Sequence, residues 1–223
     1  MKIYNSIEEF SPEFNVALTL GTFDGVHIGH QSILKQLNQD AKKIGGESVL
    51  LTFYPHPRHV LFPDDQKLKL LTTIEERSRM LESYGLKHLI VQEFTPAFSR
   101  IKAVNFVRDI LVNKLKSEKL IIGYDHHFGR NREGNLDDLV KLSDLYGYSI
   151  ERIEPQKFKD ISVSSSKIRK LIINNEIQEA TNYLGHSFCL KGKVKKGKQN
   201  GSKIGFPTAN IQIENKWKLI PND

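Results

Sequence analysis

The chain has 223 residues, 39% hydrophobic and 26% charged, which allows a sizeable core and excludes global disorder. No apolar run approaches the ~20 residues that cross a bilayer, and the opening MKIYNSIEEF carries acids without an apolar h-region, unlike a signal peptide. The formal charge of +7 is local. Tyr183 to Asp223 holds eight Lys, no Arg and two acids, leaving 25 of the 33 bases against 24 of the 26 acids in residues 1–182. A nearly neutral body does not attract phosphate backbones at long range, so neither a nucleic-acid nor a membrane partner is expected. Cys189 is the only cysteine, which excludes an intrachain disulfide and fits a reducing cytoplasm.

Apolar runs and helical periods then alternate. Val16–Leu20 reads as a buried strand ended by Gly21, and Gln31–Ile44 as a helix with Ile33, Leu37, Ala41 and Ile44 on one face. Ser48–Tyr54 is a second strand, closed by Pro55 and Pro57, and Glu75–Tyr84 a helix. His88–Gln92 is a third strand. Ala103–Leu115 is a helix with Val104, Val107, Ile110 (or Leu111) and Leu115 facing inward. Lys119–Ile122 is a fourth strand, Leu136–Tyr146 a helix, and Ser149–Ile153 a fifth strand. Helices at Ser165–Asn174 and Ile177–Leu184 follow. Such alternation implies βαβ units, an α/β fold with a parallel sheet covered on both faces, and a ligand crevice at the strands' carboxyl ends. After Gly185 the pattern changes. Phe188–Lys196 and Phe206–Ile213 alternate like half-exposed antiparallel strands with no helix between them, which puts a domain boundary near residue 184.

The first crevice segment is GTFDGVHIGH, Gly21 to His30. It leaves a strand, turns and enters a helix. Gly25 and Gly29 permit close backbone approach. His27 and His30, three apart, share a face at a helix start, where free N–H groups and the dipole favour an anion. The plainer reading is a turn with two surface histidines; the strand–turn–helix context favours the nucleotide site.

GTFDGVHIGH resembles the HxGH signature of class I nucleotidyltransferases, and in full the bacterial FAD synthetases, a family of bifunctional riboflavin kinase/FMN adenylyltransferases. The resemblance implies a Rossmann-like fold. It implies His27 and His30 at the ATP triphosphate, with Gly21, Phe23, Asp24, Gly25 and Gly29 around the nucleotide. LTFYPHPRH, Leu51–His59, is similar to the family's TFxPHP run, which implies Phe53, Pro55, His56 and Pro57 near the flavin; otherwise it is a proline-stiffened loop. GYDHHFGRNREGN, Gly123–Asn135, resembles G-x-[DN]-F-x-F-G, with His126 in place of an aromatic residue. It implies Asp125, Phe128 and Gly129 at the flavin, while Arg130 is either a phosphate ligand or a solvated loop residue. VSSSKIR, Val163–Arg169, resembles SSTxIR with Ser166 for Thr. Hydroxyls there cap a helix, and the resemblance adds Ser164, Ser165, Ser166, Lys167 and Arg169 as triphosphate ligands.

KIGFPTANI, Lys203–Ile211, resembles the opening of the family's kinase barrel, which implies Thr208 and Asn210 at a Mg-ATP site. Two strands do not close a barrel, so residues 185–223 are expected as an incomplete β-barrel segment without riboflavin kinase activity. The expected enzyme is an FMN adenylyltransferase with ATP and FMN as substrates, riboflavin as the substrate of the longer family members, and Mg²⁺ carried mainly by ATP and water. The alternatives are another phosphate-bearing acceptor, such as nicotinamide mononucleotide or phosphopantetheine, and a metallohydrolase built on the pairs His27/His30, His56/His59 and His126/His127. An RNA-binding Lys-rich tail is disfavoured by its lack of interleaved aromatics.

Overall fold

The computed structural model describes residues 1–65, 67–124, 127–155, 157–158, 161–197 and 205–221. β1 (Lys2–Tyr4) opens the chain, followed by a 3₁₀ turn at Ile7–Glu9. Next come β2 (Val16–Leu20), α1 (Ile28–Lys43), β3 (Glu47–Tyr54), the short α2 (Pro57–Leu61), α3 (Ile74–Ser83) and β4 (His88–Glu93). α4 (Ala103–Asn105) runs on as a π-helix over Phe106–Lys114. β5 (Ser117–Gly123), α5 (Leu136–Tyr146) and β6 (Ser149–Ile153) complete the main sheet. A small ladder, β7 (Lys157–Phe158) with β8 (Ile161–Ser162), precedes α6 (Ser165–Ile173) and α7 (Ile177–Leu184). Last is the antiparallel pair β9 (Lys193–Lys195) and β10 (Asn210–Gln212).

The six-stranded sheet has the order β1-β4-β3-β2-β5-β6, and all its pairings are parallel. The inner strands β2 and β3 read as nearly unbroken apolar runs because both faces are covered. Val16, Leu18, Leu20, Leu51 and Ile122 point to the side of Phe106, Val107, Leu111 and Leu139. Ala17, Leu50, Leu89 and Ile121 point to the opposite side, against Leu34, Leu37 and Ala41 of α1 and Leu81 of α3. From β2 the chain steps outward to β3 and β4, then returns to β2's other flank for β5 and β6. That reversal, between β2 and β5, is where an open α/β sheet splits to form a ligand crevice.

The expected helices and central strands form at nearly the expected bounds, because each is long and strongly periodic. The differences are short elements, the π-helical course of Phe106–Lys114, and Val104, expected to face inward but exposed. β1 is a three-residue edge strand with too few residues for a period. α2 begins on Pro57, a residue that stops a strand but suits the first position of a helix, and His56 caps it by accepting from the Arg58 N–H at 3.1 Å. β9 and β10 are only three residues each, and Val194 and Ile211 are exposed on them. Trp217–Leu219 leaves this pair and returns to the main body: the Leu70 N–H donates to Trp217 O at 2.6 Å, and the Leu219 N–H to Leu70 O at 2.8 Å. Leu219 is buried in a small third core with Leu71, Ile168, Leu171, Ile172 and Tyr183. No helix of the described residues is long and apolar enough to cross a membrane.

The loop after β5 is locked to the start of α4. The Arg130 N–H donates to Ile101 O at 2.8 Å, and the Ala103 N–H to Glu133 Oε1 at 2.9 Å. Gly129 sits at φ +74°, and a Cβ there would lie 2.7 Å from Ala103 Cα. Gly129→Ala is therefore expected to lower stability by about 1–3 kcal/mol in urea titrations, since both the dihedral and the close backbone approach oppose it. A variant as stable as the parent would show that this loop moves freely.

Candidate functional site

One crevice, about 1320 Å³ in volume, opens at the carboxyl ends of the strands. Gly21 and Thr22 enter it from the end of β2, His27, Gly29 and His30 from the start of α1, and Phe53, His56, Pro57 and Arg58 from the end of β3. Phe94 and Phe98 enter after β4, Tyr124, Phe128, Gly129, Arg130 and Arg132 after β5, and Ser164, Ser165, Ser166 and Arg169 from the start of α6. The two helix starts singled out in the sequence therefore face the same space.

At the start of α1 three rings form a stack. His30 lies between Phe23, centroids 4.5 Å apart, and His27, 3.7 Å apart and nearly parallel. Gly29 makes room for this, because a Cβ there would sit 3.2 Å from the His27 ring. His27 Nδ1 accepts from the His30 N–H at 3.4 Å and so caps the helix. Burial, the neighbouring His27 and Arg77 hold the His30 imidazole well below the usual histidine range. His30 Nδ1 is shielded from solvent and has no partner among the described residues, and the same is true of Arg169 Nε. Buried polar atoms are nearly always paired, so these two orphans on crevice residues are exceptions to the rule.

Beneath the stack lies Asp24, fully buried. Its Oδ2 accepts from the Leu71 N–H at 3.0 Å and from Arg169 at 2.5 Å. Its Oδ1 accepts from the Thr72 N–H at 3.0 Å, the Thr72 hydroxyl at 3.1 Å and Arg77 at 3.2 Å. Burial alone would raise its pKa, but Arg77, Arg169 and the Leu71 and Thr72 amides outweigh it and hold the carboxyl below the usual carboxylate range. The Thr72 hydroxyl accepts in turn from the Gly25 N–H and from Arg77 Nε. Ser165 donates its hydroxyl proton to Asp24 O at 2.8 Å. Asp24 therefore joins the turn before α1, the Leu70–Thr72 segment, α3 and α6.

The other half of the crevice is apolar and aromatic. Phe53, Phe94 and Phe98 form a tilted trio with centroids 5.6–5.8 Å apart. Across from them Phe128 pairs with Gly134 in an isolated bridge and packs on Phe106. His56 caps α2 at the boundary between the halves. Burial, partly offset by Asp24, with Arg169 and His59 adding to it, pulls its pKa down to about 4.

Of the residues read from the sequence, His27, His30, Gly21, Gly29, Ser164, Ser165, Ser166, Arg169, Phe53, His56, Pro57, Phe128, Gly129 and Arg130 line this crevice. Phe23 stands behind His30, while Asp24 and Gly25 lie buried beneath it. Lys167 turns away, with its Nζ 5.2 Å from the Tyr183 ring. Pro55 is outside the lining, Thr208 and Asn210 are exposed near the tail pair, and Asp125 and His126 fall outside the described residues. Sequence reasoning missed Thr72, Arg77, Phe94, Phe98 and Arg58. The aromatic pair could have been found, since it follows the third expected strand where the end-of-strand rule points. Arg77 sits in a charged helix and gives no signal.

Residues 11–167 match the model of a family described as FAD synthetase, and residues 184–223 one described as riboflavin kinase. Similar curated proteins are named bifunctional riboflavin kinase/FMN adenylyltransferase. The one from Listeria monocytogenes is 36% identical over 94% of this chain and 66% of its own length. Those from Escherichia coli K12 and Bacillus subtilis are 33% and 32% identical, over 68% and 64% of their lengths. The chain thus spans about two thirds of the length of the curated relatives it matches. A solved structure titled macrolide-efflux protein, from Streptococcus pneumoniae, superposes with a TM-score of 0.89 at 26% identity, over 100% of this chain and 71% of that one.

Two outcomes follow from the electrostatics. Asp24→Asn leaves two guanidinium groups without their shared counter-charge and is expected to cost about 3–5 kcal/mol in urea titrations; a cost under about 1 kcal/mol would remove Asp24 from its central role. The second concerns acid. His30 and His56 stay neutral in the fold, while the unfolded chain takes up protons near pH 6.5. Stability is therefore full above that pH and falls as pH drops from about 6.5 toward 4. Asp24, with a depressed carboxyl, adds its loss only below the ordinary carboxylate range. Urea midpoints measured at several pH values should show the decline, and His30→Gln/His56→Gln should flatten it; equal slopes in parent and variant would refute the assignment.

Proposed function

The chain belongs to the FAD synthetase family, and we propose that its crevice transfers the adenylyl group of ATP to FMN, giving FAD and pyrophosphate. The observation that carries this reading is the convergence of two capped helix starts, with unpartnered His30 Nδ1 and Arg169 Nε, on a space whose other half is the Phe53–Phe94–Phe98 wall. The first half suits a polyphosphate and the second a flat isoalloxazine ring.

In this reading an oxygen of the FMN phosphate attacks the α-phosphorus of ATP in line. A new P–O bond forms, the bond to the β-phosphate bridging oxygen breaks, and the electron pair leaves with pyrophosphate. The attacking phosphate is already anionic, so no strong base is required. The protein's work is positioning and charge stabilisation. His27, His30 and Arg169 stabilise charge on the α-phosphate and the leaving group, and the Ser164 and Ser166 hydroxyls with the α6 N–H groups hold the remaining phosphates, while Ser165 keeps its hydroxyl proton on Asp24 O. His30, neutral in the free protein, gains a reason to take a proton once a triphosphate lies beside it. Mg²⁺ would arrive on the triphosphate and be kept by its oxygens and water.

Residues 184–223, which match a riboflavin kinase model, carry Thr208 and Asn210 as proposed Mg-ATP contacts of that activity in the longer relatives, with riboflavin as substrate. The exposed, unpaired Cys189 and the substrates themselves favour a cytoplasmic enzyme.

Incubation with FMN, ATP and Mg²⁺ is expected to yield FAD and pyrophosphate in equal amounts. Turnover with nicotinamide mononucleotide or phosphopantetheine instead would overturn the flavin assignment. His30→Ala is expected to lower kcat by ~10²–10³ while circular dichroism stays unchanged; a near-parental kcat would mean that the reaction occurs elsewhere.

A further inference from the structure

The C-terminal segment Asn215–Leu219 is attached to the main body by contacts that the catalytic scheme does not use. Lys218 is the least expected of them. Its side chain is 2% exposed, although lysine is rarely buried. Nζ donates to Leu71 O at 2.7 Å and to Glu76 Oε2 at 2.7 Å, and lies 4.7 Å from the Phe188 ring centroid. Glu76 Oε2 also accepts from the Thr73 N–H at 2.9 Å, closing the capping box of α3.

Leu71 has its carbonyl on Lys218 and its N–H on Asp24. One residue thus stands between the buried lysine and the carboxylate that holds Arg169. The segment grips this stretch again through the Leu70–Trp217 and Leu219–Leu70 backbone bonds and through Lys69 Nζ on Lys216 O. A second route is apolar: Leu219 packs with Ile168, Leu171 and Ile172 of α6, the helix that presents Ser165 and Arg169 to the crevice. A third contact reaches the flavin side, where Trp217 stacks on His59 of α2 at 3.8 Å.

We propose that Lys218 is a positioning residue for the ATP half of the crevice, acting through the Leu71–Thr72 peptides on Asp24 and so on Arg169, and that the segment 215–219 is a working part of the adenylyl-transfer site. This rests on the function proposed above. It has a reciprocal consequence: if the docked segment favours ATP, ATP favours the docked segment by the same factor. Trp217 is the single tryptophan of the chain and lies inside the segment, so its fluorescence reports docking.

The test uses the full chain with Lys218→Met and with Lys218→Met/Glu76→Gln. The double variant removes the buried charge along with its partner and keeps an oxygen for the Thr73 cap, so it separates loss of positioning from the cost of an unpaired Glu76. FAD formation is followed at varied ATP and varied FMN. The expected result is an ATP KM raised about fivefold or more in both variants, with the FMN KM unchanged. Unchanged KM values, an FMN KM that rises as much as the ATP KM, or recovery of the ATP KM in the double variant would overturn the proposal. Acrylamide quenching of Trp217 gives a readout that needs no turnover. Mg-ATP should reduce quenching in the parent and not in the variants; ATP binding without any change in parental quenching would sink the positioning role alone. A parent that makes no FAD but shows ATP-dependent protection would sink the adenylyl-transfer reading and keep the coupling.

Discussion

The crevice depends on one buried carboxylate. Asp24 gathers two amide N–H groups and one hydroxyl from Leu71 and Thr72, and two guanidinium groups from α3 and α6, so one carboxylate joins three separate pieces of chain to the turn before α1. Such a group is costly to bury and is tolerated only when its partners are complete. Completing them fixes where the α1 turn, the Leu70–Thr72 segment, α3 and α6 stand relative to each other. The precision of the site is thus a consequence of electrostatic satisfaction below it rather than of the crevice walls.

The sheet explains why these segments are near each other at all. Chain reversal between β2 and β5 parts the two crossovers and leaves the carboxyl ends of both strands open. α1 starts directly after β2, and α6 returns to the same edge after the β7–β8 ladder. Stacked Phe23, His30 and His27 then fill the floor between them. Aromatic packing here has an electrostatic effect as well, since it shields the His30 ring and keeps it neutral in the free protein.

Much of this was legible in the sequence, for a physical reason. Central parallel strands must be apolar on both faces, so Val16–Leu20 and Ser48–Tyr54 announce themselves within a residue or so. The HIGH and SSS segments were visible because helix starts follow local chemistry: caps, glycines and hydroxyls lie within a few residues of each other. What was not legible is contact across long separations. Nothing in IEERSRMLES marks Arg77 as the buried arginine among its charged neighbours, and nothing near Lys218 says that it leaves water for the Leu71 carbonyl, 147 residues away. Asp24 was legible as part of a nucleotide motif, yet its carboxylate holds the residues that line the crevice instead of lining it. Motif reading identifies which residues belong to a site and not the depth at which each one acts.

The charge balance under the crevice gives that depth a purpose. Arg77, Arg169 and Lys218 face Asp24 and Glu76 within one hydrogen-bonded cluster, three cations against two anions. A buried cluster with an excess positive charge is unfavourable by itself, because interior charges are weakly screened. It becomes favourable when an anion completes it, and both orphaned nitrogens, on His30 and Arg169, belong to residues of the crevice. A triphosphate there would neutralise the excess, and because the cations are already held, little reorganisation would accompany charge development on the α-phosphate. The same arithmetic explains why the third cation can be distant from the ligand. Lys218 compensates Glu76 and restrains Leu71, which leaves Asp24 to hold Arg169 in place without drawing it out of the crevice.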